Sequence, residues 1–254
     1  MKKIRVGVIP AAGQGKRMGY LSHILPKCLF PLYDKPIIHY VVQNMKNIGI
    51  EQIYIPVFYQ KEKIIEYFHT IESDATIEFI KLDQPTKGIA LTIASAKQFI
   101  NEPFMVILGD DCTITPSLQN IVDKFFKADA IVVEGVVRES SKNVLKSTCC
   151  LKLDKNKKIL EIVEKPESPF SNIRGTGIYV FSPEIFEFIK ITPLSPPRNE
   201  VEITNTIKLV AQKGRAYAEF INGANININT PEDLLRAWIV MRRFRNRCKL
   251  WNGL

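Results

Sequence analysis

A glycine-rich loop with its own basic side chains follows the first apolar run of the chain. Residues 11–19 contain Gly13, Gly15, Lys16 and Arg17. Glycine lets the backbone curl so that amide N–H groups converge on one anion, and the cations add attraction for phosphate. These residue types therefore predict a loop that binds the phosphates of a nucleotide.

Two familiar phosphate-binding loops do not fit this stretch. The dinucleotide pattern GxGxxG needs a small residue at its sixth position, which is Met18 in this chain. A Walker loop needs Gly-Lys followed by Ser or Thr, and no such sequence follows here. The remaining interpretation is a basic glycine loop suited to a triphosphate.

Two adjacent aspartates supply candidate metal ligands. Asp110 and Asp111 come directly after the apolar run 104–108 and Gly109. A carboxylate at the carboxyl end of a strand, facing a phosphate loop, is a hard oxygen ligand suited to Mg²⁺. We expect Asp110 to bind Mg²⁺ and Asp111 to act as its supporting partner.

The elements that must position these residues alternate between strand and helix patterns. This alternation predicts an α/β fold with a mostly parallel sheet and helices on both faces. Ligands of such sheets bind at the carboxyl ends of the strands, where the glycine loop and the aspartates must meet. Strand patterns cover residues 4–9, 52–58, 76–82, 104–108, 130–137, 149–153, 159–163 and 176–181, and helical patterns cover 36–48, 61–68, 89–99 and 231–245.

The loop and the residues after it resemble the signature of the sugar nucleotidyltransferases, also called NDP-sugar pyrophosphorylases. The chain is most similar to the glucose-1-phosphate thymidylyl- and uridylyltransferases. The resemblance implies a single Rossmann-like three-layer α/β/α nucleotidyltransferase domain over residues 1–254, with a mixed, mostly parallel sheet. Its NTP-binding half would cover about 1–115, its sugar-phosphate-binding half about 116–230, and a C-terminal helix 231–250. The matching residues are Gly13, Gly15, Arg17, Met18, Pro26, Lys27, Leu29, Pro31 and Leu32.

The resemblance also implies roles for particular residues. The loop backbone and Arg17 would bind the triphosphate, and Lys27 would steady the transferred α-phosphate. Gln84 lies in a segment similar to the one that reads the base, and its amide suits uracil or thymine. The implied catalytic residues are Arg17, Lys27 and Asp110, and the implied nucleotide-binding residues are Ala11, Ala12, Gly13, Gln14, Gly15, Lys16, Arg17, Gln84, Gly88 and Asp110.

The second half of the chain resembles the family in its acceptor segments. Glu164-Lys165-Pro166 matches the family's EKP, which implies that Glu164 binds sugar hydroxyls and Lys165 grips the sugar phosphate. Gly177 lies in a segment where the family's strand backbone approaches the sugar. Glu202, in a run similar to E(I/L)TD, is a second expected contact to the hexose ring.

Two departures from the family pattern concern the metal and the sugar. Residues 227–234 resemble D(I/V)GTPEDL, whose leading aspartate is the second metal ligand, but this chain has Asn227 there. The amide oxygen still suits Mg²⁺, yet the site loses a negative charge, so we expect weaker metal binding without substrate. Cys149 lies where thymidylyltransferases usually have a Tyr-Gly pair lining the sugar, which leaves the identity of the sugar open.

The resemblance predicts transfer of an NMP, UMP or dTMP favoured, from an NTP to a sugar 1-phosphate, with Mg²⁺ as cofactor. The partners would be UTP or dTTP and the sugar 1-phosphate. One alternative is a cytidylyltransferase acting on choline phosphate or another small alcohol phosphate. Another is a non-catalytic regulatory relative that binds nucleotide sugars, because Asn227 and Asn205 replace aspartates.

The charge and cysteine content bear on partners and location. The net charge is +9, but no nucleic-acid motif or interleaved aromatic pattern accompanies it, so we expect no nucleic-acid partner. No apolar run of roughly 18 residues exists, so we expect no transmembrane segment.

The five cysteines lack metal-ligand spacing, which indicates free thiols in a reducing cytoplasm. A homo-oligomer is left open. The basic residues of the last helical pattern, interpreted as a solvated face, are Arg236, Arg242, Arg243, Arg245, Arg247 and Lys249.

Overall fold

The computed structural model describes residues 2–71 and 75–247, with side chains described as far as residue 244. Cys248 and Lys249 lie outside the described residues, as do the side chains of Arg245 and Arg247. Among the described residues, no helix is both long and apolar enough to cross a membrane.

The strands and helices alternate along the chain, most regularly in its first half. The strands are β1 (Val6–Val8), β2 (Pro31–Leu32), β3 (Lys35–Pro36), β4 (Gln52–Val57), β5 (Thr76–Lys81), β6 (Phe104–Ile107), β7 (Asp111–Ile114), β8 (Val132–Arg138), β9 (Cys149–Leu153), β10 (Ile159–Glu164), β11 (Ile173–Phe181), β12 (Ala216–Phe220) and β13 (Ala224–Asn227). The helices are α1 (Leu21–Ile24), α2 (Ile37–Asn47), α3 (Lys61–His69), α4 (Ile89–Ala94), α5 (Leu118–Ala128), α6 (Lys142–Ser147), α7 (Ile185–Ile191), α8 (Ile203–Gln212) and α9 (Pro231–Arg247).

The central sheet is mixed and mostly parallel, as predicted. Its main path has the order β10-β9-β11-β6-β1-β4-β5, and β8 pairs with both β11 and β12. Strands β5, β4, β1 and β6 are parallel, and β12 is parallel to β8. Strand β11 runs antiparallel to β6, β8 and β9, and β10 runs antiparallel to β9. Strands β10 and β11 therefore oppose the other strands of the sheet.

Two hydrophobic cores cover the two faces of this sheet, which confirms the three-layer arrangement. One core packs α2, α3 and α5 against one face, and the other packs α4, α7 and α8 against the opposite face. Alternate residues of a strand point to opposite faces, so Met105 of β6 lies in the first core and Val106 in the second. The central strands β1 and β6 are apolar and buried throughout because both of their faces are covered.

A third apolar cluster joins the glycine loop to the C-terminal helix. Met18, directly after the basic residues of the loop, is buried against Ile228, Ala237 and Met241. The burial of Met18 gives this loop a fixed anchor, and the same contact ties α9 to the loop. Residues from distant parts of the chain are thereby held at one edge of the sheet.

The start of α9 has a threonine cap and an additional acidic partner. The Oγ1 of Thr230 accepts a hydrogen bond from the N–H of Asp233 at 3.3 Å. The carboxylate of Asp233 accepts bonds from the N–H groups of Asn229 and Thr230, each at 3.1 Å. This reciprocal arrangement is a capping box, which fixes the backbone just before the helix.

Some element boundaries differ from the sequence prediction. The helix expected over 89–99 divides into α4 and a separate short 3-10 helix over Lys97–Phe99. The second of the two aspartates after β6, Asp111, begins a further strand, β7, that pairs with β13. Neither β7 nor β13 was predicted.

The predicted free thiols are confirmed for Cys28, Cys112, Cys149 and Cys150, all of which are buried. The adjacent pair Cys149-Cys150 lies in β9, where successive side chains point to opposite faces of the sheet. Burial raises the pKa of the Cys28 and Cys112 thiols to about 12. A thiol with so high a pKa carries little thiolate at neutral pH and is therefore a poor nucleophile.

Candidate functional site

The glycine loop leaves the carboxyl end of β1 and lines one end of a large cleft. The N–H of Ala11 bonds to the carbonyl of Pro56 at 3.0 Å, so Ala11 continues the sheet and does not line the cleft. Gly15 has a positive φ of 67°, and a side chain there would come within 3.1 Å of the Cβ of Lys27. Glycine at this position therefore lets the loop pass close to Lys27. The loop residues that line the cleft are Ala12, Gly13, Gln14, Gly15, Lys16 and Arg17.

Lys27, Arg17 and Asp110 converge at this end of the cleft. The Nζ of Lys27 forms an ion pair with the Oδ2 of Asp110, and both side chains are largely shielded from solvent. The Oδ1 of Asn229 accepts hydrogen bonds from the Nη2 of Arg17 at 2.6 Å and from the Nζ of Lys27 at 3.1 Å. The structure thus brings the three predicted catalytic residues together through direct contacts and one shared amide.

The two predicted metal ligands lie side by side because β7 pairs with β13. Asn227 is the register partner of Asp111, and the N–H of Ile228 bonds to the carbonyl of Asp110 at 3.1 Å. The side chains of Asp110 and Asn227 both line the cleft. The Oδ1 of Asn227 accepts a hydrogen bond from the Nδ2 of Asn229.

Asp111 is buried below this edge and supports it through a polar network. Both of its carboxylate oxygens accept hydrogen bonds from the Nδ2 of Asn225, at 2.9 and 2.8 Å, and Thr113 donates a further bond at 2.8 Å. The Oδ1 of Asn225 accepts a bond from buried Arg174 at 2.7 Å. Burial is the main cause that raises the pKa of Asp111 to about 8. These bonds join β7 to β13 and so hold Asp110 beside Asn227.

The second half of the chain supplies an acidic and a basic residue to the other end of the cleft. The Nζ of Lys165 contacts the Oε1 of Glu164 at 2.8 Å, and the Oγ1 of Thr204 donates to the Oε2 of Glu164 at 2.8 Å. Both carboxylate oxygens of Glu164 are thus held in place. Glu202 lies nearby with its pKa raised by burial and by the negative charge of Glu164.

The floor of this end is formed by small residues over a buried acid. Gly175, Gly177 and Cys149 line the cleft, and the Sγ of Cys149 donates to the Oε1 of Glu134 at 3.5 Å. A side chain at position 175 would collide with Glu134 and with Cys149. Glu134 is fully buried, its Oε2 has no hydrogen-bond partner among the residues that the structure describes, and burial raises its pKa to about 8.

The close packing of the protein backbone at Gly88 leaves no room for a side chain. The resemblance placed Gly88 among the nucleotide-binding residues, and its backbone conformation has a further cause. Gly88 has a φ of 106°, and a Cβ would lie 2.5 Å from the carbonyl oxygen of Val201. The N–H of Val201 bonds to the carbonyl of Lys87 at 2.7 Å. Gly88 therefore joins the start of α4 to the segment that carries Glu202.

Most of the predicted site residues share one cleft of about 850 Å³. Gln84 is exposed and does not line it, although Pro85 and Gly88 of the same segment do. The role of Gln84 in reading the base stays a prediction, as do the roles of the other site residues. The predicted residues along the cleft, besides the loop, are Lys27, Gly88, Asp110, Glu164, Lys165, Gly177, Glu202 and Asn227.

Several cleft residues were missed by the sequence analysis. Asn229 and Thr204 lie beside predicted residues and contact them, and Arg198 adds a cation near Glu202, at 3.6 Å. For Asn229 a signal was present, because asparagine takes the place of glycine in the D(I/V)GTPEDL pattern. Thr204 is the threonine of the run similar to E(I/L)TD, so it also carried a signal, whereas Arg198 carries no comparable local signal.

Comparisons with known proteins identify the family of the chain. The family model described as nucleotidyl transferase matches residues 6–242. The chain is 31% identical over 231 residues to the bifunctional protein GlmU of Methanocaldococcus jannaschii, covering 91% of this chain but 52% of that protein. It is 30% identical over 256 residues to a UTP–glucose-1-phosphate uridylyltransferase of Staphylococcus epidermidis, covering 90% of this chain and 88% of that protein.

A solved structure has nearly the same fold. The crystal structure of UDP-glucose pyrophosphorylase complexed with UDP-glucose superposes with a TM-score of 0.86 at 25% identity, covering 95% of this chain and all of the other. The chain thus spans about half the length of the GlmU relative. It spans 88% of the uridylyltransferase and all of the solved UDP-glucose pyrophosphorylase chain. The chain belongs to the nucleotidyl transferase family, as the loop signature predicted.

Proposed function

We propose that this chain transfers a nucleotidyl group, UMP or dTMP favoured, from an NTP to the phosphate of a sugar 1-phosphate. The observation that carries the proposal is the convergence of Arg17, Lys27 and Asp110 with Glu164 and Lys165 on one cleft. The preference for uridine and a sugar is supported by the relatives, one named for UTP and glucose 1-phosphate and one solved with UDP-glucose.

The NTP binds at the glycine-loop end of the cleft. Backbone N–H groups of residues 12–17 meet the triphosphate, and Arg17 and Lys27 supply positive charge against it. Lys27 lies against Asp110, so its ammonium is held at the cleft before any substrate arrives. Such fixed charges stabilise a transition state without having to reorganise during the reaction.

The sugar 1-phosphate binds at the opposite end. Lys165 attracts its phosphate, and Glu164 accepts hydrogen bonds from sugar hydroxyls, with Glu202 as a second acceptor. The hydrogen bond from Thr204 fixes the carboxylate of Glu164. Lone pairs that this bond does not use remain available to accept hydrogen bonds from the sugar. The glycines at 175 and 177 leave room for the sugar ring.

The residues at the cleft edge fit a Mg²⁺ ion. Asp110 offers a carboxylate and Asn227 an amide oxygen, both of them hard ligands that leave coordination positions for phosphate and water. When bound, Mg²⁺ would neutralise charge on the triphosphate. Lys27 bonds to one oxygen of Asp110 and Asn229 to the amide oxygen of Asn227, which leaves lone pairs on both residues for the metal.

The transfer is a direct displacement in which this chain orients the reactants. A phosphate oxygen of the sugar 1-phosphate forms a bond to the α-phosphorus, and the bond from that phosphorus to the bridging oxygen breaks. Pyrophosphate departs with the electron pair. No general base is needed, because the attacking phosphate is already an anion. Arg17, Lys27 and Lys165 bring together the triphosphate and the sugar phosphate, which otherwise repel each other.

We propose a cytoplasmic location, which the free and buried cysteines support, because thiols persist in a reducing compartment. The proposed reaction does not depend on a homo-oligomer, because one chain supplies all the residues named for it.

The test is release of pyrophosphate with a panel of substrates. UTP, dTTP, CTP, ATP and GTP are each combined with glucose 1-phosphate, N-acetylglucosamine 1-phosphate and choline phosphate, in the presence of Mg²⁺. We expect turnover with UTP or dTTP and a sugar 1-phosphate. Turnover restricted to CTP and choline phosphate would identify a cytidylyltransferase, and binding of NTP without turnover would identify a regulatory relative.

A further inference from the structure

Asn229 connects two cationic residues of the cleft to Asn227, one of the two proposed metal ligands. Its Oδ1 accepts from Arg17 at 2.6 Å and from Lys27 at 3.1 Å, while its Nδ2 donates to the Oδ1 of Asn227. One neutral side chain thus touches three residues that the proposed reaction requires.

The position of Asn229 is itself fixed by the C-terminal helix. The capping carboxylate of Asp233 accepts from the N–H of Asn229 at 3.1 Å. The next residue but one begins α9, which is buried through Ala237 and Met241 in the same apolar cluster as Met18. The backbone of Asn229 and the loop that carries Arg17 are therefore held by one rigid group of contacts.

The shared amide oxygen offsets part of the repulsion between the two cations, in addition to the ion pair that Asp110 forms with Lys27. Arg17 and Lys27 both bond to the same atom, so their positive charges lie close together without a phosphate between them. Like charges at this separation repel, and the negative end of a carbonyl dipole offsets part of that repulsion. The Nδ2 bond to Asn227 fixes which end of the amide faces the cations.

We infer that Asn229 is a positioning residue that preorganises Arg17 and Lys27 for the triphosphate. The inference rests on the proposed function, and it concerns the binding of the NTP before transfer. Asn229 contributes no charge of its own, so it acts through the two cations. In the motif that this segment resembles, glycine stands at this position and offers no side chain for the task.

The effect is measured as the affinity for UTP, without divalent metal, by titration calorimetry. Asn229→Ala removes the shared acceptor, so we expect the dissociation constant to rise by about tenfold, because a misplaced cation loses much of its interaction with phosphate. Asn229→Gly, which carries the residue of the motif, should weaken binding to the same extent. Asn101→Ala is the matched control, since Asn101 is exposed and precedes β6 at the opposite edge of the sheet.

A double-mutant cycle with Arg17→Ala separates positioning from a general structural role. If Asn229 acts through Arg17, the loss in the double variant is smaller than the product of the two single losses, by at least about threefold. Thermal unfolding midpoints of all variants are measured in parallel, and we expect them to stay within a few degrees of the wild type.

Two outcomes would overturn the inference: UTP affinity of Asn229→Ala within twofold of the wild type, or losses that multiply in the double variant. Both are distinct from failure of the proposed function. Wild-type protein that binds UTP but never releases pyrophosphate contradicts the transfer reaction and leaves the cycle interpretable. Turnover by the wild type with an unaffected Asn229→Ala contradicts the positioning role alone.

Discussion

At the residue scale, Asn227 lowers the negative charge of the proposed metal site, because it is neutral. Its side chain lines the cleft together with Asp110, and the motif that it resembles has a carboxylate at this position. An amide oxygen binds Mg²⁺ without neutralising any of its charge, so the proposed reaction would have the metal held chiefly by Asp110 and by the substrate phosphates. We therefore expect the metal to bind together with the NTP.

Asn227→Asp should lower the Mg²⁺ concentration that gives half-maximal rate, by about tenfold, because a second carboxylate adds attraction for the divalent ion. The measurement is the initial rate of pyrophosphate release at saturating UTP over a Mg²⁺ titration. Asn222→Asp adds the same charge at an exposed position and serves as the control. An unchanged or increased Mg²⁺ requirement in Asn227→Asp would contradict the assignment of Asn227 as a ligand.

Some site residues could be predicted from local sequence and others could not. Arg17, Lys27 and Asp110 lie in recognisable segments next to strand ends, and the carboxyl ends of parallel strands meet at one edge. Asn229 bonds to Arg17 and Lys27 across 212 and 202 positions of the chain, respectively. Such a contact depends on how α9 packs, which no local pattern encodes.

At the element scale, the two halves of the cleft are joined where α4 meets the segment before α8. Val201 bonds through its N–H to Lys87 and through its carbonyl to the N–H of Ala90, at 2.7 and 3.3 Å. Gly88 lies between these bonds with no room for a side chain. The contact sets where Glu202 lies relative to the nucleotide end.

Gly88→Ala should destabilise the protein by about 2–4 kcal/mol, because the new Cβ meets the backbone of Val201 and the φ of 106° is strained for alanine. Urea unfolding gives the free energy of unfolding. Gly49→Ala is the matched control: its φ of 87° is also positive, but open space surrounds the position, so it should lose only about 1 kcal/mol. Equal losses in the two variants would show that the contact with Val201 does not matter.

The small sheet of β7 and β13 was not predictable from its own residues. Asp111 and Asn225 are polar residues that favour turns and loops in isolation, yet both are buried in these strands. They are stabilised there by hydrogen bonds to each other and to Thr113 and Arg174. A buried polar network overrides the local preference, because each member satisfies another.

At the scale of the whole molecule, the alternation of strands and helices was sufficient to predict the layers and the mostly parallel sheet. It did not give the direction of β11, which runs antiparallel between β6 and β8. Strand direction depends on which strands become neighbours after folding, and the pattern of apolar residues is the same for either direction where both faces are buried. The fold class was thus more predictable than the topology of the second half.

The buried acid under the acceptor end should make global stability depend on pH. Burial is the largest cause that raises the pKa of Glu134 to about 8, so the folded state holds a proton that the unfolded state, at its usual value near 4.5, releases. The stability due to the neutral carboxyl is therefore complete below that lower value, and it is lost as the pH rises towards 8.

Glu134→Gln removes this titration while keeping nearly the same shape. We expect the variant to resemble the wild type at pH 5 and to become the more stable of the two as the pH approaches 9, by up to about 1 kcal/mol for each pH unit crossed. Thermal unfolding across this range measures the difference. Asp111 also has a raised pKa but is unchanged in both proteins, so it cancels in the comparison. A difference in stability that does not vary with pH would contradict a neutral Glu134 in the folded state.

The most direct test of the account follows the product of the reaction and its dependence on Lys27. Wild-type protein, Lys27→Ala and Lys127→Ala, an exposed lysine of α5, are each incubated with UTP, Mg²⁺ and glucose 1-phosphate or the best acceptor of the panel. Mass spectrometry identifies the product, and pyrophosphate is quantified in the same samples.

We predict one nucleoside diphosphate sugar for each pyrophosphate released by the wild type and by Lys127→Ala, and a rate at least about 100-fold lower for Lys27→Ala. No nucleoside diphosphate sugar from any pair of substrates would contradict the proposed reaction. A loss of less than about tenfold in Lys27→Ala, roughly 1.4 kcal/mol of transition-state stabilisation, would contradict the role of Lys27.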